Sequence, residues 1–159
     1  MQLSEKIAVI FATGLGIGYS PFAPGTMGSL FAVFLFTGLS HLNLWIYLFT
    51  LTTLFFVGLW AVDIAGGHFN DVDSPKIVLD EILGILISYS PLYLFPTNLL
   101  NLLVGFTLFR IFDILKPFPI NRVNNIKKPI YVLLDDIIAA IYAATILSLI
   151  NSCLPLCNK

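Results

Sequence analysis

Residues 7–62 contain no formal charge, and two further charge-free runs follow at 82–109 and 137–158. Fourteen of the seventeen charged side chains fall in the two islands between them, residues 63–81 and 110–136. Apolar blocks of this size cannot face water, so the pattern predicts a chain that lives in a bilayer. A charge at the membrane centre costs roughly 2.5–3.5 kcal/mol on insertion scales, so acids and bases kept beside such blocks point to a function.

Composition narrows the choice. The 159 residues suggest one domain over 1–159. The chain is 58% hydrophobic and 11% charged, with a mean hydropathy of +0.93, outside the range of disordered chains and ordinary soluble domains. Its net charge of −1 makes no electrostatic case for nucleic acid. Cys153 and Cys157 have no nearby histidine, form no zinc pattern and read as inert. The N-terminus is not read as a signal peptide, because Glu5 weakens the basic region and no A-x-A-like site follows.

A spanning helix needs about 20 apolar residues, with about 17 as the lower limit. The expected architecture is an all-α, polytopic membrane bundle of about five transmembrane or re-entrant helices plus a short N-terminal helix. That short helix is expected at 4–18, followed by a break at 19–29, where Pro21, Pro24 and Gly25 interrupt helix geometry. Crossings are expected at 28–42 and 44–62. The middle block is too long for one span and too short for two. Pro91 and Pro96 make it a hairpin with shortened arms, 79–94 and 97–113. A last span covers 132–151. This count puts both charged islands and the 19–29 break at one face. Six of the eight Lys/Arg residues lie in the islands, so the positive-inside rule makes that face cytoplasmic.

Three charged sets then converge. Asp80 and Glu81 open the middle block. Successive helix residues diverge by about 100°, so their carboxylates are expected on neighbouring faces. Acids at a helix start also favour its dipole, which explains one such residue better than two. Arg110, Asp113 and Lys116 follow at i, i+3, i+6 before Pro117 and Pro119. A ladder of interfacial ion pairs is the plain alternative. Asp135 and Asp136 open the last span after Leu133 and Leu134. Clustered carboxylates must be protonated or hold a cation. Hard oxygen donors suit Mg²⁺, which also binds substrate phosphate, and Arg110 and Lys116 suit phosphate oxygens. Thr26 and Ser29 are candidate phosphate donors or simple helix caps. Gly66-Gly67-His68 reads as a turn, His41 as idle, and Asp63 as a helix-end group. The constellation reads as metal-assisted phosphoryl chemistry on a membrane lipid.

The ordered strings SPFAPGTMGSL, DSPKIVLDEILG, FRIFDILKPFPI and LLDDIIAA resemble the phosphatidylglycerophosphatase A family over nearly the whole chain. The resemblance implies a Mg²⁺-dependent phosphatase of the bacterial inner membrane. It would convert phosphatidylglycerophosphate to phosphatidylglycerol and phosphate. It also implies catalytic roles for Asp80, Glu81, Asp113, Asp135 and Asp136, with Asp73 matching a further acid. Metal ligation would fall to Asp80, Glu81, Asp113 and Asp136, and phosphate binding to Arg110 and Lys116. Two departures stand out: residues 127–131 replace a glycine-rich stretch before the paired acids, and Ala140 replaces a glycine after them. Competing readings are a phosphatase of another lipid phosphate, an ion or proton carrier and a non-catalytic subunit. Partners are expected to be the lipid substrate and the bilayer, with oligomeric state left open.

Overall fold

The computed structural model describes residues 2–153. Among them are seven helices and no strand: α1 (Leu3–Ala12), α2 (Pro24–Leu39), α3 (Leu44–Phe69), α4 (Leu79–Ser88), α5 (Leu99–Leu115), α6 (Ile120–Asn124) and α7 (Pro129–Cys153). Short 3-10 turns occupy Ile17–Tyr19 and Ser90–Tyr93. Cys153 is exposed and has no disulfide partner among the described residues, and Cys157 lies outside them.

Local chemistry sets the boundaries, and several differ from expectation. Pro24 begins α2 instead of breaking it: proline at the first helical position lacks only an N–H that would have no partner there. Thr26 and Ser29 therefore sit in the first turns of a helix. The side chains of Asn43 and Asn98 cap α3 and α5 by accepting the N–H groups of Ile46 and Asn101. α3 continues through Asp63 and through Gly66–His68, which is helix and not a turn. A Cβ on Gly66 would stand 2.8 Å from the Val72 Cα, so the glycine allows the chain to fold back closely after Asn70 ends the helix at φ +54°. α1 ends at Ala12, not near residue 18, because Gly14, Leu15 and Gly16 all take positive φ. α4 stops at Ser88, six residues short of its expected end, where the chain tightens into the turn containing Pro91. α6 has no counterpart in the sequence reading.

Two helices, α3 with 26 residues and α7 with 25, are long and apolar enough to cross a membrane. At 1.5 Å per residue each is roughly 38 Å long, above the ~30 Å of a bilayer core. α2, α4 and α5, with 16, 10 and 17 residues, are shorter, so the five expected crossings are not all of spanning length. The outer faces are apolar: Trp45, Phe49 and Phe56 of α3 are 80, 72 and 64% exposed.

α4 is the hub. Leu79, Ile82, Leu83, Ile85 and Leu86 are buried, with α2 on one side and α7 on another. Gly84 lets α5 and α7 close on it, since a Cβ there would meet Phe109 at 2.4 Å and the Asp136 carbonyl at 3.4 Å. The Val78 N–H donates to the Ala12 carbonyl at 2.9 Å, tying the start of α4 to α1. The end of the bundle away from the charges is tied as well. Tyr93 donates to the Leu39 carbonyl at 2.8 Å, and Asn101 donates to Asn151 at 3.0 Å.

Candidate active site

The first turn of α4, the last two turns of α5, the second turn of α7 and the first turns of α2 meet at one end of the bundle. Both charged islands therefore share a face. Lys127, before α7, reaches Asp71, after α3, at 4.0 Å. Lys116, at the end of α5, donates to Asp135 on α7 at 2.6 Å and also to Asn124 on α6.

The acids divide into two kinds. Asp113 accepts from Arg110 at 2.6 Å, and Asp135 accepts from Lys116. Asp80, Glu81 and Asp136 have no such cation. Each offers an oxygen, and these oxygens lie within 4.8 Å of one another. The divergence expected of adjacent Asp80 and Glu81 does not separate them, because both reach the same Asp136. Glu81 Oε2 and Asp136 Oδ2 are buried with no hydrogen-bond partner among the described residues, and Asp136 as a residue is 4% exposed. Five carboxylates face two cations here, and the surplus charge falls on the three acids that converge.

The two bases reach different elements, Arg110 toward α2 and Lys116 toward α6 and α7. Arg110 reaches Thr26 at 3.4 Å and Ser29 at 3.5 Å as well as Asp113. Ser29 in turn donates to the Gly25 carbonyl at 2.9 Å. Both hydroxyls thus orient Arg110, and neither caps α2. Burial works to lower the Lys116 pKa, but the Asp135 hydrogen bond and the charges of Asp135, Asp136 and Asp113 outweigh it. The net shift is upward, and the ammonium stays protonated.

Other candidates lie outside the convergent trio. His68 pairs with Glu5 at 2.9 Å, and His41 lies exposed in the turn before α3. Asp63 is exposed on α3. Asp73 is exposed in the loop before α4, its N–H donating to Asp71, and it stands at the rim of the acidic end, near enough for its charge to act on Lys116, Asp113 and Asp135. Asp135 and Asp136 stand two turns inside α7 and do not open it, because Pro129 starts the helix earlier than expected. Ala140 is fully buried, so the methyl that replaces the family's glycine is accommodated. Two contributors have no charged signature in the sequence. Gly25 lies directly against Glu81, and Asn124 shares the Lys116 ammonium. Only the small-residue run around Gly25 hints at such a close approach.

Fold and site together define an all-helical protein with two apolar helices of membrane length and a base-flanked carboxylate centre at one end. The chain belongs to the phosphatidylglycerophosphatase A family, whose sequence model matches residues 10–151. Curated relatives include phosphatidylglycerophosphatase A of Escherichia coli, 33% identical over 92% of this chain and 85% of its own length. The Haemophilus influenzae protein of the same name is 34% identical over 86% and 84%. A Bacteroides thetaiotaomicron protein named as a candidate phosphatidylinositol-3-phosphatase is 34% identical over 90% and 92%. No solved structure matches the chain. The chain is a phosphatase of the lipid-phosphatase type.

Proposed function

We propose that this enzyme hydrolyses the terminal phosphomonoester of phosphatidylglycerophosphate. The products are phosphatidylglycerol and inorganic phosphate, and the reaction takes place at the cytoplasmic face of a bacterial inner membrane with Mg²⁺ as cofactor. The observation that carries the reading is the division of the acids: two are paired to bases, and three converge with two orphaned oxygens. Three carboxylates held this close, one buried and two half-buried, would repel one another without a cation, whereas hard oxygen donors at this spacing suit Mg²⁺. Asp80, Glu81 and Asp136 would hold it.

When bound, Mg²⁺ supplies Lewis-acid charge that offsets the approach of a phosphate dianion to a carboxylate-rich site. Arg110 presents guanidinium N–H groups to the phosphate oxygens, held in direction by Asp113, Thr26 and Ser29. Lys116, kept charged by Asp135, adds a second positive point for the loose transition state. Water adds to phosphorus as the ester P–O bond breaks, and the departing glycerol oxygen takes up a proton. Uncatalysed phosphomonoester hydrolysis demands accelerations up to ~10²¹, so charge neutralisation must be joined by positioning.

The bilayer part of the proposal draws on the exposed apolar faces of α3 and α7. α2, α4 and α5 would complete the bundle as shorter or re-entrant segments. α4 is only about 15 Å long at 1.5 Å per residue, which would set Asp80 and Glu81 below the membrane surface. Lys76, Arg110, Lys116, Arg122, Lys127 and Lys128 belong to the islands at the acidic end, which favours a cytoplasmic site.

A second reading has specific support in the relative named for phosphatidylinositol 3-phosphate, which matches over a comparable length. The test is a panel: purified protein is given phosphatidylglycerophosphate, phosphatidylinositol 3-phosphate and phosphatidic acid, and phosphate release is followed. Preference for the first supports the proposal, and preference for the second replaces its substrate.

A further inference from the structure

The outer face of α5 carries a groove that the chemistry above leaves unused. Phe106, Thr107, Arg110, Ile111, Ile114 and Leu115 line it, and its volume is about 330 Å³, within the ~300–1,000 Å³ usual for ligand sites. The spacing puts all six on one stripe of the helix. Ile111, Ile114 and Leu115 are 43, 68 and 72% exposed, so no other part of the described chain covers them. Arg110 is the one charged residue of the stripe. The guanidinium that Asp113 holds, and that reaches Thr26 and Ser29, therefore belongs to a side chain that also walls the groove.

The groove itself is apolar and is bordered by the aliphatic stem of Arg110, whose guanidinium turns away to Asp113, Thr26 and Ser29; hydrocarbon beside a cation matches an anionic amphiphile. The phosphate would lie on the α2 side of Arg110, and hydrocarbon would follow the stripe toward Phe106, away from the charged end. A second apolar cavity, of about 180 Å³ between α1, α2, α3 and α4, is lined by Phe11, Leu15, Phe31, Leu54, Leu79 and Ile82 among others, with no charged residue. It has nothing to hold a headgroup, and the Ala12–Val78 hydrogen bond ties α1 to α4 beside it.

We infer that the α5 groove is the acyl-chain subsite of the lipid phosphate substrate, entered sideways from the bilayer, with Arg110 joining hydrocarbon recognition to phosphate recognition. The inference rests on the lipid-phosphatase reading. It makes the groove residues determinants of preference for long-chain over short-chain substrate.

Ile111→Trp fills the groove from an exposed position, and Leu149→Trp, on the exposed face of α7, is the matched control. Phosphate release is measured on dioleoyl and dihexanoyl forms of phosphatidylglycerophosphate in the same detergent. The expected result is a fall of about tenfold or more in the long-chain to short-chain ratio of kcat/KM for Ile111→Trp, with the ratio of Leu149→Trp unchanged. An unchanged ratio in Ile111→Trp overturns the subsite. A dioleoyl lipid phosphate carrying a photoreactive group in one acyl chain gives an answer independent of turnover. Labelling within residues 106–115 supports the subsite, and labelling confined to other segments overturns it. If the wild type releases phosphate from neither form, the phosphatase reading falls, and the labelling pattern still decides the groove.

Discussion

Gly25 and Glu81 face each other across the α2–α4 seam at a separation that admits no side chain: a Cβ on residue 25 would stand 2.1 Å from Glu81 Oε1. The contact fixes where the Glu81 carboxylate points, toward Asp80 and Asp136. Gly25→Ala must displace either the carboxylate or the first turn of α2. The carboxylate is the end of a flexible side chain, so its displacement costs little stability and the effect falls on catalysis. The expected outcome is a folded protein with kcat reduced at least about tenfold, because misplacement of a catalytic group by ~1 Å costs up to 10²-fold. Thermal unfolding and phosphate release on the same sample check it.

Asp136→Asn and Glu81→Gln separate charge from shape. Each removes one of three mutually repelling carboxylates, so in chelator the variants should melt at or above the wild-type temperature. Mg²⁺ at 100 times its Kd stabilises a protein that binds it by about 2.7 kcal/mol. The wild type should show that upward shift in Tm, and the variants should lose most of it. A full shift in Asp136→Asn would remove this residue from the metal site.

Lys116 and Asp135 should behave as a coupled pair. Asp135 is 4% exposed, so Lys116→Ala strands a buried charge and destabilises by up to about 3 kcal/mol. Asp135→Asn added to Lys116→Ala should recover part of that loss. A double-mutant cycle by chemical denaturation measures the coupling, and strict additivity would contradict a direct pair.

Asn101 and Asn151 test the other end of the bundle. Both are buried, and Asn101 donates to Asn151 and to the Pro96 carbonyl. Asn101→Ala should lower stability by about 1–3 kcal/mol through lost and unmatched hydrogen bonds. Turnover at saturating substrate should stay near wild type, because these groups lie at the end opposite the acids. Denaturation midpoints paired with kcat values check both halves.

The charged sets were legible because acids and bases beside apolar runs are costly and therefore stand out. The shared face of the two islands was legible from the parity of the helix count. The Arg110–Asp113 pair could be read from its i, i+3 spacing. The Lys116–Asp135 pair could not, since it joins α5 to α7 through the fold. The two pairs together set Asp113 and Asp135 apart from the three convergent acids, and Asp113, grouped with the metal ligands by its motif, holds Arg110 in the structure. Pro24 and Gly66–His68 misled for one reason: glycine and proline mark breaks when read locally, but proline at a helix start and glycine at a close contact are compatible with helix. The shortness of α4 depends on the turn at Ser90–Tyr93, whose residues alone do not distinguish a kink from an end.

In the proposed mechanism Asp80, Glu81 and Asp136 form one divalent-cation site that hydrolysis requires. The most direct measurement is phosphate release from phosphatidylglycerophosphate by purified wild type and Asp136→Asn across a Mg²⁺ titration that starts in chelator. The wild type should release no phosphate without Mg²⁺ and show a saturable rise with it, and Asp136→Asn should lose at least about 10²-fold at every concentration. Wild-type turnover that persists in chelator, or an Asp136→Asn variant with wild-type rate and Mg²⁺ dependence, would contradict it.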